Sequence, residues 1–159
     1  MVLWVDRDER DDRHLRCGGA LMLAAMEALL EQQEEFCAKP YRDSRGFLTV
    51  GFGTNLDAGI TIAQAKAMMQ AQLSANEAAL MDYPWFAGLD PVRRSVIENM
   101  AYNLGVLGVL EFKDMIDAIE AKDYPEAAHQ MRASKWRVQV GDRALVLADI
   151  METGVMPDA

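Results

Sequence analysis

The chain has 159 residues, enough for one compact core that buries roughly 70% of the surface the unfolded chain exposes, so a single domain is expected. Half of the residues are hydrophobic (51%) and 26% are charged, a balance that argues against disorder and fibrous repeats. The net charge of -9 argues against broad attachment to nucleic acid or to an anionic membrane, and two cysteines are too few for a disulfide framework.

In chain order, residues 1–17 read as a charged N-terminal arm carrying both signs, either frayed or an early turn of the helix that follows. Its acidic run Asp6, Asp8, Glu9, Asp11 and Asp12 is unlike the basic start of an export signal, so none is read. From Gly18 to Gln33, Met22, Met26, Leu29, Leu30 and Gln33 recur at intervals of three and four, which predicts a long helix packed on one face. The stretch Gly18 to Leu30 is interrupted by Glu27 and too short to span a bilayer. A packed helix is preferred to a membrane-release anchor.

Pro40 resists helix continuation, Ser44-Arg45-Gly46 supplies turn chemistry, and Phe47-Leu48-Thr49-Val50 is rich in strand formers, so a β-hairpin is predicted. Gly51, Gly53 and Gly59 then punctuate a loop. Thr61 with Gln64 reads as a capping box opening a helix from Ile62 to about Asp82. Asp90 with Pro91 predicts an N-cap and a helix that Gly105 ends. Phe112, Met115, Ile116 and Ile119 mark another apolar face, Asp123 and Pro125 begin a short helix, and Arg143 to Met151 reads as the last. Met22, Met26, Met68, Met69, Met100, Met115 and Met131 are expected to fill the core, as is Trp136. Trp85 and Tyr102 are also weighed as sugar-stacking candidates against core. His14 and His129 are expected to be exposed or capping.

This order predicts an α+β fold, a small sheet lobe over about 34–60 and a helical lobe over about 62–154 joined by a long helix, with a cleft between them suited to an extended polymer. Glycoside hydrolysis needs two carboxyls flanking the scissile bond, one giving a proton and one ionised. Glu34, at a helix end beside apolar Leu30 and Phe36, is the candidate for the protonated partner. Asp43, at a wet hairpin turn, is the candidate for the ionised one. Glu35, its helical neighbour about 100° away, reads as a surface acid.

The ungapped run of Glu34, eight residues, Asp43, five residues, Thr49 and then Val50-Gly51-Phe52-Gly53 resembles the phage T4-type lysozyme family, glycoside hydrolase family 24. Asp90-Pro-Val-Arg-Arg-Ser-Val-Ile-Glu-Asn-Met-Ala-Tyr-Asn-Leu-Gly105 resembles its central core helix, and Ser134-Lys-Trp136 with Arg143 its C-terminal signature. The resemblance implies a lysozyme-like fold and an inverting reaction in which Glu34 is the general acid, Asp43 assists the attack and Thr49 positions the water. It further implies supporting roles for Asn103 and Arg143, the latter as an ion-pair partner of Glu34, and structural positions around the cleft for Tyr41 and Gly51. Glu35 and Thr54 depart from the family's usual glycine and histidine.

The implied protein is an endolysin that cleaves the β-1,4 bond between N-acetylmuramic acid and N-acetylglucosamine of bacterial peptidoglycan, without cofactor or metal. It would be a monomer with no nucleic-acid partner and no stable membrane insertion, held in the host cytoplasm until a holin releases it. The alternatives are a lytic transglycosylase and a non-hydrolytic peptidoglycan-binding or tail-associated module of the same fold.

Overall fold

The computed structural model describes residues 10–157, with side chains from residue 21 onward, in two compact units divided between Thr61 and Ile62. The first part of the charged arm, residues 1–9, and the side chains of His14 and Cys17 lie outside the described residues. The described parts form an α+β fold, a small antiparallel sheet followed in the chain by a mostly helical region.

The first unit begins with α1 (Arg10–Gln33), which takes up the later part of the arm as helix, followed by β1 (Cys37–Arg42), β2 (Leu48–Gly51) and β3 (Thr54–Asn55). The strands form a three-stranded antiparallel sheet in the order β1-β2-β3. Tyr41 pairs with Thr49 and Thr49 with Asn55, so β2 is central. The register shifts between Cys37 and Tyr41, and Pro40 falls within that irregularity on an edge strand. There its missing N–H is tolerated. The sequence had suggested a hairpin followed by a loop; the two-residue β3 adds a strand to it.

In the second unit α2 (Ile62–Leu80) begins one residue after Thr61, and α3 (Pro84–Ala87) is a single turn. Next comes α4 (Pro91–Leu110), whose N-cap Asp90 accepts from the Val92 and Arg93 N–H groups at 3.0 Å each. Gly105, at φ 73° and ψ 163°, breaks α4 at the predicted stop. Then follow α5 (Lys113–Glu120), α6 (Tyr124–Ala133), α7 (Lys135–Val140) and α8 (Asp142–Thr153). Asp123 caps α6 through the Glu126 N–H, and Ser134 caps α7 through the Arg137 N–H. Because capping satisfies donors that a helix leaves orphaned, these side chains fix where each helix starts.

Every buried apolar side chain among the described residues lies at Leu80 or beyond. Phe86, Val96, Ile97, Met100, Met115, Met131 and Met151 form the centre of this core. Met100, Met115 and Met131 thus fill the core as expected, and Trp85 and Trp136 are buried with them. His129 is exposed. The expectation failed for Met22, Met26, Met68 and Met69, which are exposed, as are Leu21, Leu23, Leu29 and Leu30. Helical spacing identifies a face but not whether anything covers it, so the packed α1 inferred from its periodicity is corrected: Leu21 and Met22 are each 73% exposed. Among the described residues no helix is long and apolar enough to cross a membrane.

Candidate active site

Glu34 follows the last residue of α1, and its N–H still donates to the Leu30 carbonyl at 2.8 Å, so the helix end fixes its backbone. Its side chain is exposed, and the neighbouring Phe36 pairs with Phe52 at 5.3 Å between ring centroids. The carboxyl lies against the turn between β2 and β3. A β-carbon placed on Gly53 would stand 3.6 Å from Glu34 Oε2.

Asp43 opens the β1–β2 turn and is held by that turn's backbone. Its Oδ1 accepts from the Arg45 and Phe47 N–H groups, both at 2.9 Å, while its own N–H donates to the Phe47 carbonyl at 2.9 Å. Gly46, at φ 86°, lets the chain reverse, and Arg42 Nη1 ties its carbonyl at 2.8 Å. Among the described residues, Asp43 Oδ2 has the exposed Arg45 as its ion-pair partner, 3.9 Å away, which leaves this oxygen able to accept a proton or a hydrogen bond.

Thr49 lies on the central strand and is the buried polar side chain among the described residues. Its Oγ1 donates to the Phe47 carbonyl at 3.1 Å. With its hydrogen committed there, the oxygen can only accept from a further partner. Phe47 thereby joins the two residues, its N–H on Asp43 and its carbonyl on Thr49. Tyr41 stands opposite Thr49 on β1, and Gly51 ends β2 at φ 66°. Asp57 Oδ2 accepts from the Leu48 N–H at 2.9 Å and Asn55 Oδ1 from the Asp57 N–H at 2.9 Å, pinning the following loop to β2.

The other two predicted residues belong to the helical unit. Asn103 Oδ1 accepts from Trp136 Nε1 at 3.0 Å, and Trp136 meets Phe112 edge-on at 6.3 Å. Trp136 and Phe112, with Leu104, Lys113, Gln130 and Lys135, line a concavity of about 570 Å³. Arg143 grips Asn99 on α4, Nε donating to Asn99 Oδ1 at 3.0 Å with Nη2 on the same oxygen. The sequence reading missed Asn99; its signal was an amide beside Glu98 between the apolar pairs Val96-Ile97 and Met100-Ala101. It also missed the place of Gly53 beside Glu34.

The sheet unit thus carries two carboxylates and a buried strand hydroxyl, a set of groups able to exchange protons. The chain belongs to the phage lysozyme family, whose model matches residues 31–149. It is 25% identical over 166 residues to a probable T4-type lysozyme 1 of Dictyostelium discoideum, covering 85% of this chain and 98% of that protein. A second Dictyostelium protein, probable T4-type lysozyme 2, is 30% identical over 73 residues, 46% of this chain and 43% of its own length. The pre-baseplate central spike protein Gp5 of Enterobacteria phage T4 is 25% identical over 160 residues, which are 82% of this chain but 28% of that protein.

Proposed function

We propose that this chain is an N-acetylmuramidase, hydrolysing the β-1,4 bond between N-acetylmuramic acid and N-acetylglucosamine in bacterial peptidoglycan with inversion, for host cell lysis. The observation that carries this reading is the uninterrupted run from Glu34 to Gly53. It supplies an exposed carboxyl, a turn-locked carboxylate and an acceptor hydroxyl at the family's spacing, inside the matched region.

In this reading Glu34 gives its proton to the glycosidic oxygen as the bond from the muramic acid C1 breaks. A water adds to C1, and its proton passes to Asp43 Oδ2, the oxygen the turn leaves available. Thr49 Oγ1 accepts the water's other hydrogen, so that a lone pair of the water points at C1. Solvent exchange then returns a proton to Glu34 and removes one from Asp43. Two carboxyls thus complete the proton transfers without a cofactor.

Arg143, steadied by Asn99, is proposed to pair with Glu34, and Asn103 to hold Trp136 as a wall of the concavity along the glycan strand. Tyr41 and Gly51 support the sheet beneath the site. The two units are proposed to act as one lysozyme-like domain, a monomer held in the host cytoplasm until a holin admits it to the wall.

The test is zymography on purified peptidoglycan with mass analysis of the fragments. Clearing with reducing-end products is expected. Anhydro-sugar ends would instead identify a lytic transglycosylase. A second reading, a tail-associated module of the same fold, is favoured by the match to the Gp5 spike protein. Binding to peptidoglycan without clearing would support that module in a non-hydrolytic form.

A further inference from the structure

We propose that Gly53 is a positioning residue of the hydrolysis: its missing side chain keeps open the side of the Glu34 carboxyl from which the glycosidic oxygen takes its proton. This rests on the reading of Glu34 as the general acid.

The β2–β3 turn contains two glycines in the left-handed region, Gly51 at φ 66° and Gly53 at φ 82°. Both therefore carry the same backbone requirement, since an L side chain is strained there. They differ in what a β-carbon would meet. At Gly51 nothing lies within 4 Å, whereas at Gly53 the β-carbon would stand 3.6 Å from Glu34 Oε2 and 3.9 Å from its Cδ. That is ordinary contact, so the carboxyl would not be expelled. The methyl would instead occupy ground beside Oε2. A general acid must come within about 2.6–3.2 Å of the oxygen it protonates, so an acceptor approaching from the turn side competes for the volume the methyl takes. Gly53 is exposed, and its bare backbone leaves that volume free. Conformation alone explains a glycine at position 51; at position 53 the acid's neighbourhood supplies a second reason.

The experiment uses the full chain and soluble peptidoglycan strands, measuring kcat and KM by reducing-end release and folding by circular dichroism and Tm. The variants are Gly53→Ala, Gly53→Asn and Gly51→Ala, together with Glu34→Asp alone and combined with Gly53→Ala. Asparagine tolerates positive φ, so Gly53→Asn carries the measurement if Gly53→Ala does not fold.

The expected result is a kcat loss of about 100-fold for the position 53 variants, with KM within about threefold, as holding the acceptor oxygen up to about 1 Å from its reacting position beside the acid produces. Gly51→Ala should lose similar Tm but distinctly less kcat. In the Glu34→Asp background, where the carboxyl is drawn back by one methylene, Gly53→Ala should reduce kcat little further. Equal kcat losses at positions 51 and 53, or full additivity with Glu34→Asp, would overturn the proposal. So would failure of both position 53 variants to fold while Gly51→Ala folds. A fully active Glu34→Gln would refute the assignment of the acid itself, and is a separate result.

Discussion

Replacing Arg93 with alanine is predicted to remove about 3 kcal/mol from the stability of the helical unit. Arg93 lies in the first turn of α4, and its guanidinium closes the end of α8. Nε donates to the Met151 carbonyl at 2.7 Å, Nη2 to the Glu152 carbonyl at 3.0 Å and Nη1 to Asp90 Oδ2 at 2.8 Å. The last carbonyls of a helix have no partner within it, so Met151 and Glu152 would otherwise turn to water. Two hydrogen bonds from a charged donor contribute about 1.5 kcal/mol each. The Asp90 pair, 38% exposed on the acid side, is discounted to under about 1 kcal/mol. The Tyr124 ring, 3.8 Å below the guanidinium, adds about 0.5–1 kcal/mol. One group makes all these contacts, so they overlap, and about 3 kcal/mol is the expected net. In a chain of this length that lowers Tm by about 6–12 °C. Gly154 supplies an internal check. It ends α8 at φ 69°, and a β-carbon there would lie 2.6 Å from Arg93 Nη1. Gly154→Ala should therefore combine backbone strain with displacement of the arginine in the parent, but only strain, about 1–2 kcal/mol, in the Arg93→Ala background. Urea and thermal unfolding of the four proteins measure the cycle. An Arg93→Ala loss below about 1 kcal/mol, or a Gly154→Ala cost that is the same in both backgrounds, would refute the reasoning.

Glu34→Gln is expected to abolish peptidoglycan clearing with little change in Tm, while Glu35→Gln stays active; an essential Glu35 would shift the register of the site by one residue. Asp43→Asn should fold normally, because the amide oxygen can still accept from the Arg45 and Phe47 N–H groups, and yet be severely impaired; parental lysis rates would remove Asp43 from the reaction. Burial, and then the like charge of Glu77, raise the pKa of Glu98 above its ordinary value against the opposing charge of Arg94. The folded state therefore binds this proton more tightly than the unfolded chain, and the stability it contributes, present below about pH 4.5, is lost as pH rises through the folded pKa. The Tm of Glu98→Gln should accordingly gain on the parent's as pH rises from 4 to 8, and parallel curves would contradict this. With a net charge of -9, the protein, on the proposed activity, should lyse permeabilised cells faster as salt rises from about 0.01 M to 0.1 M, since screening weakens repulsion from an anionic wall; a steady fall would point to a local basic patch such as Arg132, Lys135 and Arg137.

Where a helix begins with its own chemical signal, the chain could be read directly: Asp90 before Pro91 and Asp123 before Pro125 are the observed caps of α4 and α6, and Gly105 is the observed break. The elements left unread, α3, α7 and β3, are short. α3 is one turn whose Trp85 and Phe86 are buried, and β3 is two residues that exist by pairing with β2, so these two depend on contacts that local pattern does not encode. The exposed methionines of α1 and α2 show the converse limit, a periodicity that needs a covering partner before it becomes core. Within the candidate site, Glu34, Asp43 and Thr49 were open to nomination from the sequence because their spacing is local and ungapped. Asn99 was not, because its partner Arg143 is 44 residues away, and Gly53 was not, because its importance lies in the direction of a β-carbon that is absent.

The distribution of burial separates what stabilises this chain from what is proposed to react. The apolar core begins at Leu80, whereas the run from Glu34 to Gly53 is held by backbone hydrogen bonds and by glycines with positive φ. A carboxylate held by two N–H groups of a tight turn is positioned without being enclosed by apolar side chains, so it keeps access to water, the co-substrate of a hydrolysis. The same arrangement makes the chemistry sensitive to atoms added at the turn, and the fold tolerant of charge removal at constant shape. Glu34→Gln and Asp43→Asn should therefore leave Tm almost unchanged. Truncating Met100 or Ile97, each fully buried, should cost about 2–5 kcal/mol. A core variant that remains folded should keep a turn whose hydrogen bonds close within residues 43–49, and its activity should track the folded fraction.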